Sequence, residues 1–104
     1  MNWFSISKLP NPLETPPWSD VDIISIGDIS AAINRRNYLK PEEVIRNIPC
    51  SKEDHIRRIA YLVENEDYKP ITLRKVGKWP IKDGSHRLAA AIYRGDQWIR
   101  GRWI

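Results

Sequence analysis

One cysteine, Cys50, occurs in 104 residues. That excludes an intramolecular disulfide and any multi-cysteine zinc site, and it gives no sign of an oxidising compartment. Long apolar runs are missing as well: no stretch reaches the ~18 residues that would suggest a membrane-spanning helix. The N-terminal MNWFSISKLP has no charged segment followed by an apolar one, so no secretory signal is read there. Internal repeats and low-complexity tracts are absent. A cytoplasmic protein with no membrane partner is expected. The Cys50 thiol, beside Pro49, is expected to be half-buried and inert rather than reactive.

Excess charge of one sign is also modest. Seventeen Lys and Arg against thirteen Asp and Glu leave +4, which permits a polyanionic partner but is small for a nucleic-acid binder. Its placement says more. Arg94, Arg100 and Arg102 gather at the C-terminal end, and Arg74, Lys75, Lys78 and Lys82 crowd the segment before DGSHR.

Hydrophobic residues at 41% and charged residues at 29% describe an ordinary globular chain, and its length suits a single domain spanning 1–104. Phe4–Ile6 reads as a short strand, followed by a loop holding four of the eight prolines between Pro10 and Pro17. VDIISIG suggests a second short strand. Asp28 could cap a helix carrying Ile29, Ala32 and Ile33. KPEEVIRNI has Pro41 in its first turn and Val44, Ile45 and Ile48 as an apolar side. In SKEDHIRRIAYLVEN, Ser51 caps a helix whose buried stripe is Ile56, Ile59, Ala60 and Val63. His55 is read as a surface residue of that helix. Asn65 to Lys69 is a polar turn, ITLRKV and WPIKD are strands, and WIRGRWI is a closing strand. The strand puts Trp98, Arg100, Arg102 and Ile104 on one face, with Ile99 and Trp103 on the other. The result is an α+β fold, a short mixed sheet with flanking helices.

The chemistry concentrates in IKDGSHRLAAAIYRGD, Ile81 to Asp96. A strand turns into a helix with Leu88, Ala91 and Ile92 inward and Gly95 at its end. Such a start exposes unpaired N–H groups and the positive end of the helix dipole. Gly84 lets backbone approach a ligand, Arg87 brings a two-pronged donor, and His86 adds a titratable one. The pattern is that of an anion site, phosphate above all; a plain polar helix cap is the alternative.

These residues resemble the phosphate-binding motif of the ParB/sulfiredoxin superfamily, in which a strand leads through Gly-x-His-Arg or Gly-x-Arg-Arg into an alanine-rich helix. The resemblance covers roughly Ser51 to Ile104 and is loose before that. It implies a small ParB/sulfiredoxin-like domain in which Gly84, Ser85, His86 and Arg87 hold the phosphates of a nucleoside di- or triphosphate such as ATP, ADP or CTP. Asp83 matches an acidic position found in many members, including a branch that phosphorylates free serine. In that branch a catalytic glutamate follows the first strand, where this chain has Glu14. Asp83 and Glu14 could then hold Mg2+ or take a proton from a nucleophile, with His86 as a further acid–base candidate. Sulfiredoxins carry their catalytic cysteine where this chain has Ser85, which points away from sulfinic-acid repair, and Cys50 sits in a different element. Partition-type ParB proteins continue into a DNA-reading helix-turn-helix, and with the sequence given ending at Ile104, DNA reading of that kind is not expected.

Two functions are therefore expected. One is a nucleotide-dependent phosphotransferase or hydrolase, nuclease action included. The other is a non-catalytic module that holds nucleic acid, such as DNA, or a protein partner on the basic strand of Arg100 and Arg102 with Arg94 beside it. Trp3, Trp79 and Trp103 are expected to fill the core, and Trp18 in its proline-held loop is the one candidate for stacking on a base or a partner.

Overall fold

The structure is a computed structural model and describes residues 2–46, 48–67, 69–77 and 79–104. Lys78, counted above in the basic segment, lies outside the described residues. In chain order the elements are β1 (Asn2–Ser5), a 3-10 turn (Ile6–Lys8), α1 (Ile26–Asn34), α2 (Pro41–Arg46), α3 (Lys52–Glu64), β2 (Ile71–Leu73), β3 (Ile81–Asp83), α4 (Ser85–Arg94) and β4 (Trp98–Trp103). The strands form one mixed sheet in the order β1-β4-β2-β3. β4 pairs antiparallel with β1 and parallel with β2, while β2 and β3 pair antiparallel. The expected α+β class, with a small sheet and flanking helices, is what the chain adopts.

Helix starts follow from serine caps. Ser25 Oγ accepts the Asp28 N–H at 3.0 Å and Asp28 Oδ2 accepts the Ser25 N–H at 3.1 Å, a reciprocal pair that satisfies two donors. Asp28 is thus the third residue of the helix and not its cap. Val21–Ser25 leads into α1 without forming the strand that VDIISIG suggested. Ser51 does cap α3, as expected, accepting the Asp54 N–H at 3.1 Å. Ser51→Ala is expected to cost about 1 kcal/mol of unfolding free energy in urea titration, and Ser51→Asp to cost little.

α4 is the centre of the fold. Leu88 and Ala91 pack with Ile71, Leu73 and Ile81 of the sheet, whereas Ala89 and Ala90 pack with Ile29, Ile59, Ala60 and Leu62 of α1 and α3. A helix buried on two sides needs small residues so that both neighbours can approach, which accounts for its alanine run. Gly95 ends it at φ 80°, its N–H bonded to the carbonyls of Ala91 and Ile92.

Other expectations fail for identifiable reasons. The strand read through Val76 stops at Leu73, where the pairing with β3 shifts register, and Val76 is 77% exposed. No residue of α2 is buried, and Ile45 and Ile48 lie open to solvent instead of forming a packed side. Trp3 and Trp103 are exposed rather than in the core; Trp79 is half-buried against the sheet cluster. Cys50 is exposed, its Sγ 3.8 Å from Asp54 Oδ2, not half-buried. Cys50→Ser should accordingly shift the unfolding midpoint by no more than about 0.5 kcal/mol equivalent.

Candidate phosphate site and histidine pair

β3 runs straight into α4 through Gly84, whose φ of 108° lies in the left-handed region. A Cβ there would sit 2.5 Å from Ile71 Cγ2, so the glycine is demanded by helix–sheet contact as well as by the turn. No side chain caps α4. Its first-turn N–H groups, from Ser85, His86 and Arg87, precede the first helical bond, which Leu88 N–H donates to Gly84 O at 2.9 Å. Asp83 is the last residue of β3.

Arg87 is committed to the fold. Its side chain is only 14% exposed, with Nη2 3.2 Å from Asp83 Oδ2 and Nη1 3.7 Å from Asp67 Oδ2. Nη2 also donates to the Pro70 carbonyl at 3.4 Å. The guanidinium therefore ties the turn before β2 to the end of β3, with its Nε buried and unpartnered. Arg58 Nη1 is likewise buried without a partner, and burial, only partly opposed by Asp67, lowers the pKa of Arg58 from its ordinary value.

The His86 side chain meets His55 of α3. Its Nε2 lies 2.8 Å from His55 Nδ1, so one imidazole donates to the other according to tautomer. The Trp18 indole covers both rings, at centroid distances of 4.3 Å to His55 and 4.5 Å to His86 and angles of 16° and 18°. Trp18 does stack, but on histidines of its own chain. His55, taken as a surface residue, is 3% exposed. Burial pushes His86 down to about 3, reinforced by His55, Arg58 and Arg87, and burial also lowers His55 against a small opposing effect of Asp54. A neutral, hydrogen-bonded histidine pair under an indole is the most distinctive arrangement in the molecule. The signal for it was present in the sequence, since His55 lies four residues before the buried Ile59 and shares its face.

The other candidates are dispersed. Ser85 Oγ accepts the Trp79 Nε1–H at 3.2 Å. Glu14 is exposed and makes no hydrogen bond or ion pair among the described residues. Nothing brings it to Asp83, whose own carboxylate is paired with Arg87. Among the described residues no group of three or more His, Cys, Asp or Glu could hold a metal. One carboxylate beside ligand phosphates is the most that β3 offers a Mg2+ ion. Arg94 is held by Asp96 at 3.0 Å, by Glu66 at 3.6 Å and by the Leu62 carbonyl at 3.0 Å. A cleft of about 200 Å3 opens between the Glu66–Lys69 turn, α4 and the start of β4, lined by Arg87, Arg94, Arg100 and Trp98 among others. Arg100 and Arg102 are exposed on β4. No helix among the described residues is long and apolar enough to cross a membrane. Compared with family models, with curated proteins and with solved structures, the chain matches none.

Proposed function

We propose that the chain binds a phosphate-bearing ligand, a nucleoside di- or triphosphate, at the start of α4, and that it acts there as a binding module. The observation that carries this reading is the uncapped first turn of α4. α1 and α3 close theirs with Ser25 and Ser51, while α4 leaves the N–H groups of Ser85, His86 and Arg87 without a capping side chain behind a left-handed glycine. Anions favour such a terminus through N–H donors and the helix dipole together. Lys82, exposed on β3, adds positive charge beside it. The resemblance of KDGSHR to the ParB/sulfiredoxin motif supports the same reading, since the expected strand, glycine turn and helix occur in that order. Holding a ligand is favoured over turning it over: Asp83 is neutralised by Arg87, His86 Nε2 is engaged by His55, and Glu14 stands alone.

Ser85→Asp tests this. A carboxylate in the first turn suits the helix dipole and preserves stability, but it occupies the anion's place. Thermal-shift titration with ATP, ADP, CTP, GTP and pyrophosphate, with and without Mg2+, should show wild-type stabilisation of about 2.7 kcal/mol at one hundred times the dissociation constant. Ser85→Asp should lose it and Ser85→Ala should keep it. Equal stabilisation of the Asp variant, or no response of the wild type to any of these ligands, would remove the proposal.

A further inference from the structure

A cleft of about 450 Å3 opens beside Leu73 of β2, and its lining follows from two residues of β4. Gly101 has no Cβ, and one built there would fall 2.9 Å from Phe4 and 3.1 Å from Ile71, so the Phe4 ring lies across β4 at that point. Two residues on, Trp103 shares the face of Ile99 and Gly101. Its ring meets Phe4 edge-on, with centroids 5.8 Å apart at 76°. The sheet cluster ends there: Phe4 and Leu9 pack against it in part, whereas Trp103 stays outside and is 45% exposed. Leu73 is the buried floor of the cleft, and Phe4, Trp103, Leu9 and Pro80 are its walls.

Charge at this cleft has one sign. Lys8 is the one charged side chain among the described residues that line it, and it is exposed. Lys75 Nζ lies 5.7 Å from the centre of the Trp103 ring. Neither lysine forms an ion pair among the described residues. Trp3 and Trp98 border this cleft and also the one at Arg94, so the two indoles divide them. The carboxylates Glu66, Asp67 and Asp96, with Arg87 and Arg94, belong to the other cleft.

We propose that the cleft at Leu73 binds a small aromatic anion, such as an aryl carboxylate, with its ring against Phe4 and Trp103 and its charge at Lys8 and Lys75. Size and lining suit this class: small-molecule sites measure about 300–1,000 Å3 and combine apolar walls with a few polar groups that fix orientation. The Phe4–Trp103 corner offers a third ring both a face and an edge, the two contacts that aromatic rings prefer. A cationic ligand would find ammonium groups and no carboxylate. A neutral one would leave both lysines without a role. A second copy docked across a two-fold axis would bring the same lysines of both copies together, like charge against like.

The test uses anilinonaphthalene sulfonate, an anionic probe that reports apolar surface by fluorescence, beside phenylnaphthylamine, which has the same rings and no charge. Titration of the folded chain should show saturable binding of the anionic probe, tighter than that of the neutral one. Naphthoate should displace it at a lower concentration than its decahydro derivative, which keeps the charge and loses the π-faces. Lys8→Gln should weaken the anionic probe about two- to fivefold, the scale of an exposed ion pair, and leave the neutral probe unchanged. Trp103→Ala should weaken both probes about two- to tenfold. Pyrophosphate should displace neither probe, and both variants should keep the wild-type response to it, which separates this cleft from the site at α4. If Trp103→Ala melts lower, the Lys8→Gln comparison still decides, because Lys8 is exposed in a turn. Equal affinity for the two probes, a Lys8→Gln variant that binds like wild type, equal competition by the saturated acid, or no binding at all would overturn the proposal. So would displacement by pyrophosphate, or sedimentation showing a dimer that Trp103→Ala dissociates.

Discussion

Gly84→Ala is expected to lose about 2–5 kcal/mol of stability, the combined scale of left-handed strain and overpacking. Both causes act at one atom. The new Cβ would fall 2.5 Å from Ile71 Cγ2 and 2.9 Å from Ile71 Cβ, at a residue whose φ is 108°. Neither side can yield cheaply, because Ile71 is fully buried between α4 and Gly101, where a Cβ would meet Phe4 and Ile71. In a domain of this size each kcal/mol moves the melting temperature by about 4–8 °C, so the loss is expected to exceed 8 °C. Gly95→Ala separates the two causes: Gly95 also has positive φ, 80°, but nothing lies within 4 Å of its Cβ position. It should show the strain alone, about 1–2 kcal/mol. Combining Gly84→Ala with Ile71→Ala should cost less than the sum of the two single losses, since the second change removes the Cγ2 that the first one strikes. Equal losses for the two glycine variants, measured by urea and thermal unfolding, would show that the Ile71 contact does not set the cost.

The motif glycine illustrates what could be read in advance. Its position between a strand and a helix was legible from the alternation of IKD and the periodicity of Leu88, Ala91 and Ile92. Its reason was not, because Ile71 meets it only through the sheet. Local signals served well where cause and effect lay within one turn: the Ser51 cap, Ile59 and Ala60 of the α3 stripe and the Gly95 stop are of this kind, whereas Ile56 and Val63 are only partly buried and Leu62, outside the expected stripe, is buried in their stead. They failed where a side chain's fate depended on which elements surround it. Trp3 and Trp103 were assigned to the core for their size, yet β1 is an edge strand and leaves Trp3 in water. The Asp67 partner of Arg87 could not be foreseen from the motif either, because it comes from the turn before β2. VDIISIG alternates like a strand, but the Ser25–Asp28 capping box closes a helix across its last residues. His55 shows the opposite fault. Its charged neighbours outweighed a spacing to Ile59 that already placed it inside.

Acid should destabilise the fold well before its carboxylates titrate. His86 is held at about 3 in the folded chain against an ordinary 6.5, and His55 is also lowered. For a base whose folded pKa is depressed, the unfolded chain binds the proton first. Stability is then full above about 6.5 and falls as pH drops through the window toward the folded value, at up to about 1.4 kcal/mol per pH unit for one histidine. The groups that face the pair act in both directions. His55, Arg58 and Arg87 oppose a proton on His86, while Asp54 favours one on His55. Between about pH 6.5 and 5, above the ordinary range of Asp and Glu, His86 alone should account for about 2 kcal/mol of lost stability. Double protonation would also leave two donors facing each other across 2.8 Å, with no lone pair to accept, beneath the Trp18 ring. Urea unfolding over this window, followed by circular dichroism, should show the decline in wild type. His86→Gln keeps a hydrogen-bonding group beside His55 Nδ1 but cannot titrate, so its slope should fall to the His55 share. A wild-type profile that is flat from about pH 5 to 7 would show that the pair is not held neutral by the fold. A His86→Gln profile parallel to wild type would move the titration to another group.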